Sequence, residues 1–183
     1  REGFVQQRAP PSLVAHLPGG WNFAYDCAVA GAGGPVIAGS AGTFYAALSL
    51  DADDGHVVRE KRGPDPYDQY HDRNSKATGV AQRGTSVYVT GNIGTTGLLT
   101  LRFDAATGDT LWATHDSYGF SYATGADCAP DRSGDLFVSA YEGDYWSDGP
   151  IAIKYDQASG DTVWTSRMPE LYRTAACAAD SAG

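Results

Sequence analysis

Asp104-Ala105-Ala106-Thr107-Gly108-Asp109-Thr110-Leu111-Trp112 returns 52 residues later as Asp156-Gln157-Ala158-Ser159-Gly160-Asp161-Thr162-Val163-Trp164. A looser copy, Asp51-Ala52-Asp53-Asp54-Gly55-His56-Val57-Val58-Arg59, stands 53 residues upstream of the first and ends on arginine where the others end on tryptophan. A period near fifty residues marks modules too small to bury their own apolar faces, which must stack on one another. Within each copy the chemistry is that of a tight hairpin: Asp caps the turn through its carboxylate and Gly accepts a positive φ. The Trp four residues after that Gly falls on the strand leaving the turn, where it is expected to pack between modules.

Outward from the phrase, each unit breaks into four short β-like runs separated by Gly, Asp, Asn or Ser clusters, the pattern of an antiparallel meander. In the third unit these are Ala126 to Ala129, Asp135 to Tyr141, Ile151 to Tyr155 and Thr162 to Ser166, with turns at Asp131-Arg132-Ser133-Gly134 and at the phrase itself. The first strands of the other units are expected at Tyr25 to Val29 and Thr78 to Gln82. Alternation in Val87-Tyr88-Val89 and Ile151-Ala152-Ile153-Lys154-Tyr155 predicts one apolar face. Four-stranded sheets repeated at this spacing predict an all-β fold, a β-propeller of about three full blades with partial blades at each end. The expected divisions are 1–23 (an N-terminal segment holding the outer strand of a preceding blade, Ser12 to Leu17), 24–71, 72–123 and 124–171 for three blades, and 172–183 for the start of a further one. A closed propeller needs more blades than this, so the missing ones are expected from a longer chain or from a second copy.

Phe103 to Trp112 resembles the repeat of quinoprotein-like β-propellers, whose blades carry an Asp-x-x-Thr-Gly-x-x-x-Trp docking motif. Ser133-Gly134-Asp135-Leu136-Phe137-Val138-Ser139 resembles the second-strand signature of bacterial extracellular propeller repeats. The resemblance runs from Tyr25 to the end of the chain and implies blade architecture and a periplasmic or extracellular setting. For chemistry it implies, at most, a dehydrogenase using pyrroloquinoline quinone and calcium. The adjacent-cysteine pair typical of many such enzymes is absent, and no Glu/Asn/Asp calcium set is recognisable.

Composition agrees with a turn-rich β protein: of 183 residues 42% are hydrophobic and 23 are glycine. No apolar run is long enough to span a membrane. Thirteen Lys and Arg against 22 Asp and Glu give a net charge of −9 with the cations scattered, which excludes nucleic acid as a partner. Cys27, Cys128 and Cys177 share one repeat position with Val80. That position reads as a small buried apolar site, and its occupants, a module apart, are expected to be free thiols.

In a propeller the inter-blade loops and the loops joining second to third strands open on one face, where ligands bind. Aromatic residues collect there: Trp21, Phe23 and Tyr25; Tyr67, Tyr70 and His71; Tyr118, Phe120 and Tyr122; Tyr145 and Trp146; and Tyr172 beside Arg173. With Glu142, Asp144 and Asp148 they suit stacking on sugar rings or gripping an extended peptide. The competing reading is that these aromatics plug gaps between blades. His71 and Asp72 in the longest loop offer an acid/base element. Asp26 and Asp127, at one repeat position on innermost strands, either face the channel or hold neighbouring backbone. Asp51-Ala52-Asp53-Asp54-Gly55 fails the spacing of a calcium loop and reads as a turn. The expectation is a non-catalytic module binding a peptide, protein or glycan, with no cofactor and no metal. The alternatives are part of a quinoprotein dehydrogenase, or a propeller hydrolase or lyase.

Overall fold

The computed structural model describes residues 22–29, 34–42, 44–62, 75–94, 97–116, 122–143, 149–168 and 176–179, with the side chains of 22 and 122–126 excluded. Twelve strands fall in these segments: β1 Asn22–Val29, β2 Pro35–Ala41, β3 Phe44–Leu50, β4 Val57–Arg62, β5 Lys76–Arg83, β6 Ser86–Ile93, β7 Gly97–Asp104, β8 Thr110–Asp116, β9 Tyr122–Pro130, β10 Leu136–Gly143, β11 Gly149–Tyr155 and β12 Thr162–Arg167. They form three four-stranded antiparallel sheets in chain order, β1 to β4, β5 to β8 and β9 to β12. These are propeller blades.

The blades stack face to face through two apolar clusters. Val36, Ala38, Tyr45 and Ala47 of the first meet Val87, Val89, Leu99, Leu101 and Phe103 of the second. On the other side of the second blade, Tyr88, Leu98 and Trp112 meet Leu136, Val138, Ile151, Ile153 and Tyr155 of the third. The middle blade therefore has two buried faces, and β6 is buried along its whole length. Tyr88, which alternation assigns to the polar side, is 1% exposed because a third sheet covers it.

All three copies of the repeated phrase close in the same way. The amide of Asp104 donates to Asp109 O (2.9 Å) and that of Gly108 to Asp104 O (2.8 Å), and the matching pairs in the other two turns repeat this within 0.2 Å. The Asp carboxylate accepts the next two amides but one, Ala106 and Thr107 in the second blade and Ala158 and Ser159 in the third. Gly55, Gly108 and Gly160 sit at φ of 72°, 79° and 75°, where any other L-residue is strained.

The turn of one blade is gripped by the outer strand of the blade before it. Trp112 Nε1 donates to Gln157 O (2.9 Å) and Thr114 Oγ1 to Gly160 O (2.7 Å). At the preceding junction Arg59 Nη1 donates to Ala105 O (2.7 Å) and Lys61 Nζ to Gly108 O (3.1 Å). The same two carbonyls are thus held by Trp and Thr at one junction and by Arg and Lys at the other, and Arg59 replaces a tryptophan without losing its role. The expectation that the tryptophan packs between blades holds for Trp112, which is 7% exposed; Trp164 is 40% exposed.

Register shifts recur at matching places. Each innermost strand carries one extra residue, Tyr25, Thr78 or Ala126, and each outer strand carries one, Val58, Leu111 or Val163, just before the gripping residue. A bulge reverses the phase of a period-two strand. Here the outer bulge residue is left facing solvent, and in the first two blades the next side chain, Arg59 or Trp112, turns onto the neighbouring blade.

Candidate ligand-binding rim

Antiparallel order puts the starts of β1, β5 and β9, the ends of β4, β8 and β12, and the links from second to third strands at one edge of the stack. This is the rim where the aromatic residues are expected. Trp21, Tyr67, Tyr70, His71, Tyr118, Phe120, Tyr145, Trp146, Tyr172 and Arg173 lie outside the described residues, as do Asp72, Asp144 and Asp148. Tyr122 opens β9 opposite Gly143, its side chain likewise outside the description.

Tyr25 is described, and it is exposed. Its ring lies 6.2 Å from that of Phe23 at 31°, and Lys76 Nζ stands 5.5 Å from its centroid. Phe23 and Tyr25 are 52% and 47% exposed, on an innermost strand that has no preceding blade beside it among the described residues. Lys76 occupies on β5 the repeat position that Phe23 holds on β1, so the inner edge of the rim carries two aromatic rings and one ammonium. Tyr25 sits at the bulge, and sequence reasoning places Phe23 and Tyr25 at the rim while giving no role to Lys76, which no motif marks.

Outward along the rim the polar groups are mutually engaged. Arg167 donates to both carboxylate oxygens of Glu142, at 2.8 and 3.2 Å, tying the end of β10 to the end of β12. Asn92 Nδ2 donates to Gly94 O and the Gly94 amide to Ser75 Oγ, each at 3.0 Å. The Tyr155 hydroxyl donates to Asp116 Oδ2. Burial pushes the Asp116 carboxyl above its ordinary value, against the pull of Tyr155 and His115. Arg62 lies over the exposed Phe44 ring, 5.3 Å from its centroid.

Asp26 and Asp127 turn out to be structural. Asp26 accepts its neighbour Cys27's amide (2.8 Å) and, across the junction, that of Val80 (2.8 Å). Asp127 accepts Cys128's (2.7 Å) and Cys177's (2.8 Å) in the same way. The second blade has Gly79 at this position, where a Cβ would stand 2.7 Å from Asp127 Cα.

All three cysteines are free thiols, but the shared site is not uniformly buried: Cys128 is buried, Cys177 half-buried and Cys27 exposed. The cover comes from the preceding blade's second strand, against which Cys128 Sγ faces Tyr88 O and Cys177 Sγ faces Phe137 O, both at 3.8 Å. Among the described residues Cys27 has no such strand beside it. Burial pushes the Cys128 thiol far up and the Cys177 thiol up.

Among the described residues one group could bring three ligand atoms together for a metal ion, Asp51, Asp54 and His56, within 4.8 Å of one another. It lies in the first hairpin turn, at the edge opposite the rim. Asp51 Oδ1 is already taken by the amides of Asp53 and Asp54, the capping that its counterparts make in the other turns, and Asp54 Oδ1 meets His56 Nδ1 at 2.5 Å. A quinone with its cation needs carboxylate and amide ligands converging at the channel; the described residues present no such set. No helix among them is long and apolar enough to cross a membrane.

Two solved structures share this blade arrangement. A europium-containing methanol dehydrogenase superposes with a TM-score of 0.53 at 17% identity, over 80% of this chain and 26% of that one. The quinohemoprotein alcohol dehydrogenase from Comamonas testosteroni gives 0.51 at 20% identity, over 81% of this chain and 22% of that one. At such identity the likeness is one of fold, a β-propeller of four-stranded blades, and this chain spans about a quarter of either enzyme's length. No family model and no curated protein matches it.

Proposed function

We propose that the chain is part of a non-catalytic β-propeller that works outside the cytoplasm, engaging a peptide, protein or glycan through its aromatic rim. The observation that carries this reading is the exposed Phe23 and Tyr25 pair with Lys76 above it. Flat exposed rings offer stacking area to sugar C–H faces or peptide side chains at low entropic cost, and the ammonium adds direction. The polar rim groups on the described strands are paired with each other, which suits a rigid platform better than acid/base chemistry. A glycan and peptide array probed with the closed protein tests it: the wild type binds a ligand class, Tyr25→Ala weakens binding at least about tenfold, and no binding by the wild type refutes the reading.

The second reading, part of a quinoprotein dehydrogenase, is favoured by the fold likeness to the two dehydrogenases. It requires cofactor ligands from outside the described residues. Adding pyrroloquinoline quinone with Ca²⁺ or a lanthanide ion and finding neither a quinone spectrum nor dye-linked alcohol oxidation removes it.

A further inference from the structure

The Phe23 ring lies on the second blade's side of its sheet. Directly paired residues share one face of an antiparallel sheet. Phe23 pairs with Ser40 and Ser40 with Tyr45, and Tyr45 packs into the cluster between the first two blades, its hydroxyl donating to Leu99 O at 3.4 Å. Phe44, the neighbour of Tyr45 on β3, turns to the opposite face with Arg62 over it and takes no part here. Tyr25 is tied to the same junction by Lys76 of β5, whose Nζ stands 5.5 Å from the ring centroid. The exposed pair therefore belongs to a junction that the described residues contain.

Lys76 is placed unlike its fellow cations. Arg62, Lys154 and Arg167 each meet a carboxylate, and Arg59, Lys61 and Arg83 each hold main-chain carbonyls of the next blade. Lys76 does neither: among the described residues its ammonium meets the Tyr25 ring and no carboxylate. In a chain of net charge −9, an ammonium kept beside two exposed rings is a place for one negative charge.

The rim also narrows the kind of molecule that brings that charge. A bound peptide carries amides and carbonyls that need partners. The Tyr25 bulge breaks the regular spacing of such groups along β1, and the polar side chains farther out on the rim are bonded to one another or to nearby backbone. A sugar needs ring faces for its C–H groups and leaves its hydroxyls in water, and Phe23 and Tyr25, tilted by 31°, present their faces side by side. The acidic surface repels a densely charged chain, so the negative groups of the ligand must be sparse.

Given a binding rim, as read above, we propose that its ligand is a glycan carrying isolated uronic acid residues. The pyranose stacks on Phe23 and Tyr25, and its carboxylate pairs with Lys76. An equatorial C5 carboxylate lies close to the mean plane of the sugar, so a ring resting on Phe23 directs it sideways to the ammonium over Tyr25.

The closed protein is tested on an array of uronate-bearing oligosaccharides, the same oligosaccharides with the carboxyl reduced to an alcohol, sulfated polysaccharides and acidic peptides. Uronate forms bind about two- to fivefold more tightly than their reduced counterparts, the contribution of one part-exposed ion pair, and the margin shrinks in high salt. Lys76→Met lowers uronate binding to the level of the reduced forms, and Lys76→Arg restores the margin. Tyr25→Ala weakens both members of each pair. Equal binding of uronate and reduced forms by the wild type, tighter binding of the sulfated polysaccharides, or binding of acidic peptides alone overturns the uronate assignment and leaves the rim a binding surface. No binding of any probe removes the binding surface and the assignment with it. The uronate comparison alters only the ligand, so it decides the matter even where a substitution disturbs folding.

Discussion

Gly84, Gly108 and Gly160 share a left-handed backbone but differ in what their missing side chains would meet, which makes three alanine substitutions a graded measure of blade docking. All have positive φ, 56°, 79° and 75°, so each alanine carries the same backbone cost of roughly 1 to 2 kcal/mol. At Gly84 nothing lies within 4 Å of the new Cβ, and that is the whole cost. At Gly108 the nearest atom is Arg59 Cδ at 3.3 Å, part of a flexible chain that can yield. At Gly160 three indole carbons of Trp112 lie at 2.6 to 2.9 Å. That ring is buried, hydrogen-bonded to Gln157 O and flanked by Tyr88 and Tyr155, so overpacking adds about 1 to 3 kcal/mol. The expected order of destabilisation is Gly160→Ala above Gly108→Ala above Gly84→Ala, with about 2 to 5 kcal/mol for the first. Urea unfolding by circular dichroism measures it, and hydrogen exchange of β11 and β12 amides shows whether the loss is local to the junction. In a double-mutant cycle Trp112→Val relieves Gly160→Ala, leaving their combined cost below the sum of the two. A Gly160→Ala protein as stable as Gly84→Ala refutes the reasoning, because the indole would then be moving aside freely.

Three further outcomes follow from the junctions and the rim. Asp116 is raised above its unfolded value, so the stability it gives is present below about pH 4 and is lost as pH rises through its folded pKa. Asp116→Asn removes that fall, and the difference between wild-type and variant urea midpoints should open upward from pH 4; a difference constant with pH sinks the assignment. With a thiol reagent under native conditions Cys27 reacts first, Cys177 slowly and Cys128 only on unfolding; equal rates would contradict the burial described. Asp26→Ala should cost about 1 to 2 kcal/mol and expose the Val80 amide to exchange, whereas a protected Val80 would show that Asp26 is dispensable.

The hairpins and sheet order were legible because they are local: Asp and Gly at fixed spacing admit few backbone solutions. The strand starts nearest the rim were not. Sequence reasoning opens the innermost strands at Tyr25, Thr78 and Ala126, whereas the strands open at Asn22, Lys76 and Tyr122. Tyr25, Thr78 and Ala126 are the bulges, where alternation breaks and a period-two reading loses phase. The equivalence of Arg59 to Trp112 was visible as an alignment, but its meaning needed the carbonyls of the next blade. Gly79 had no sequence-level explanation, since the atom that forbids a side chain there, Asp127 Cα, lies on another blade. Of the candidate site, Tyr25 was found from its residue type and place in the repeat; Lys76 was missed because only the three-dimensional meeting of β1 and β5 brings it onto the ring.

The acceptors at both blade junctions are main-chain carbonyls. A carbonyl is supplied by every residue, so the gripping strand recognises the shape of a turn and the bareness of one glycine, and leaves Ala105 or Gln157 free to vary. Recombination between repeats then needs no compensating mutation in the partner: an in-register crossover inserts or deletes a whole blade and inherits a working joint. A gene built on such a joint can change the circumference of its ring in a single event, and selection is left to act on the loops at the rim.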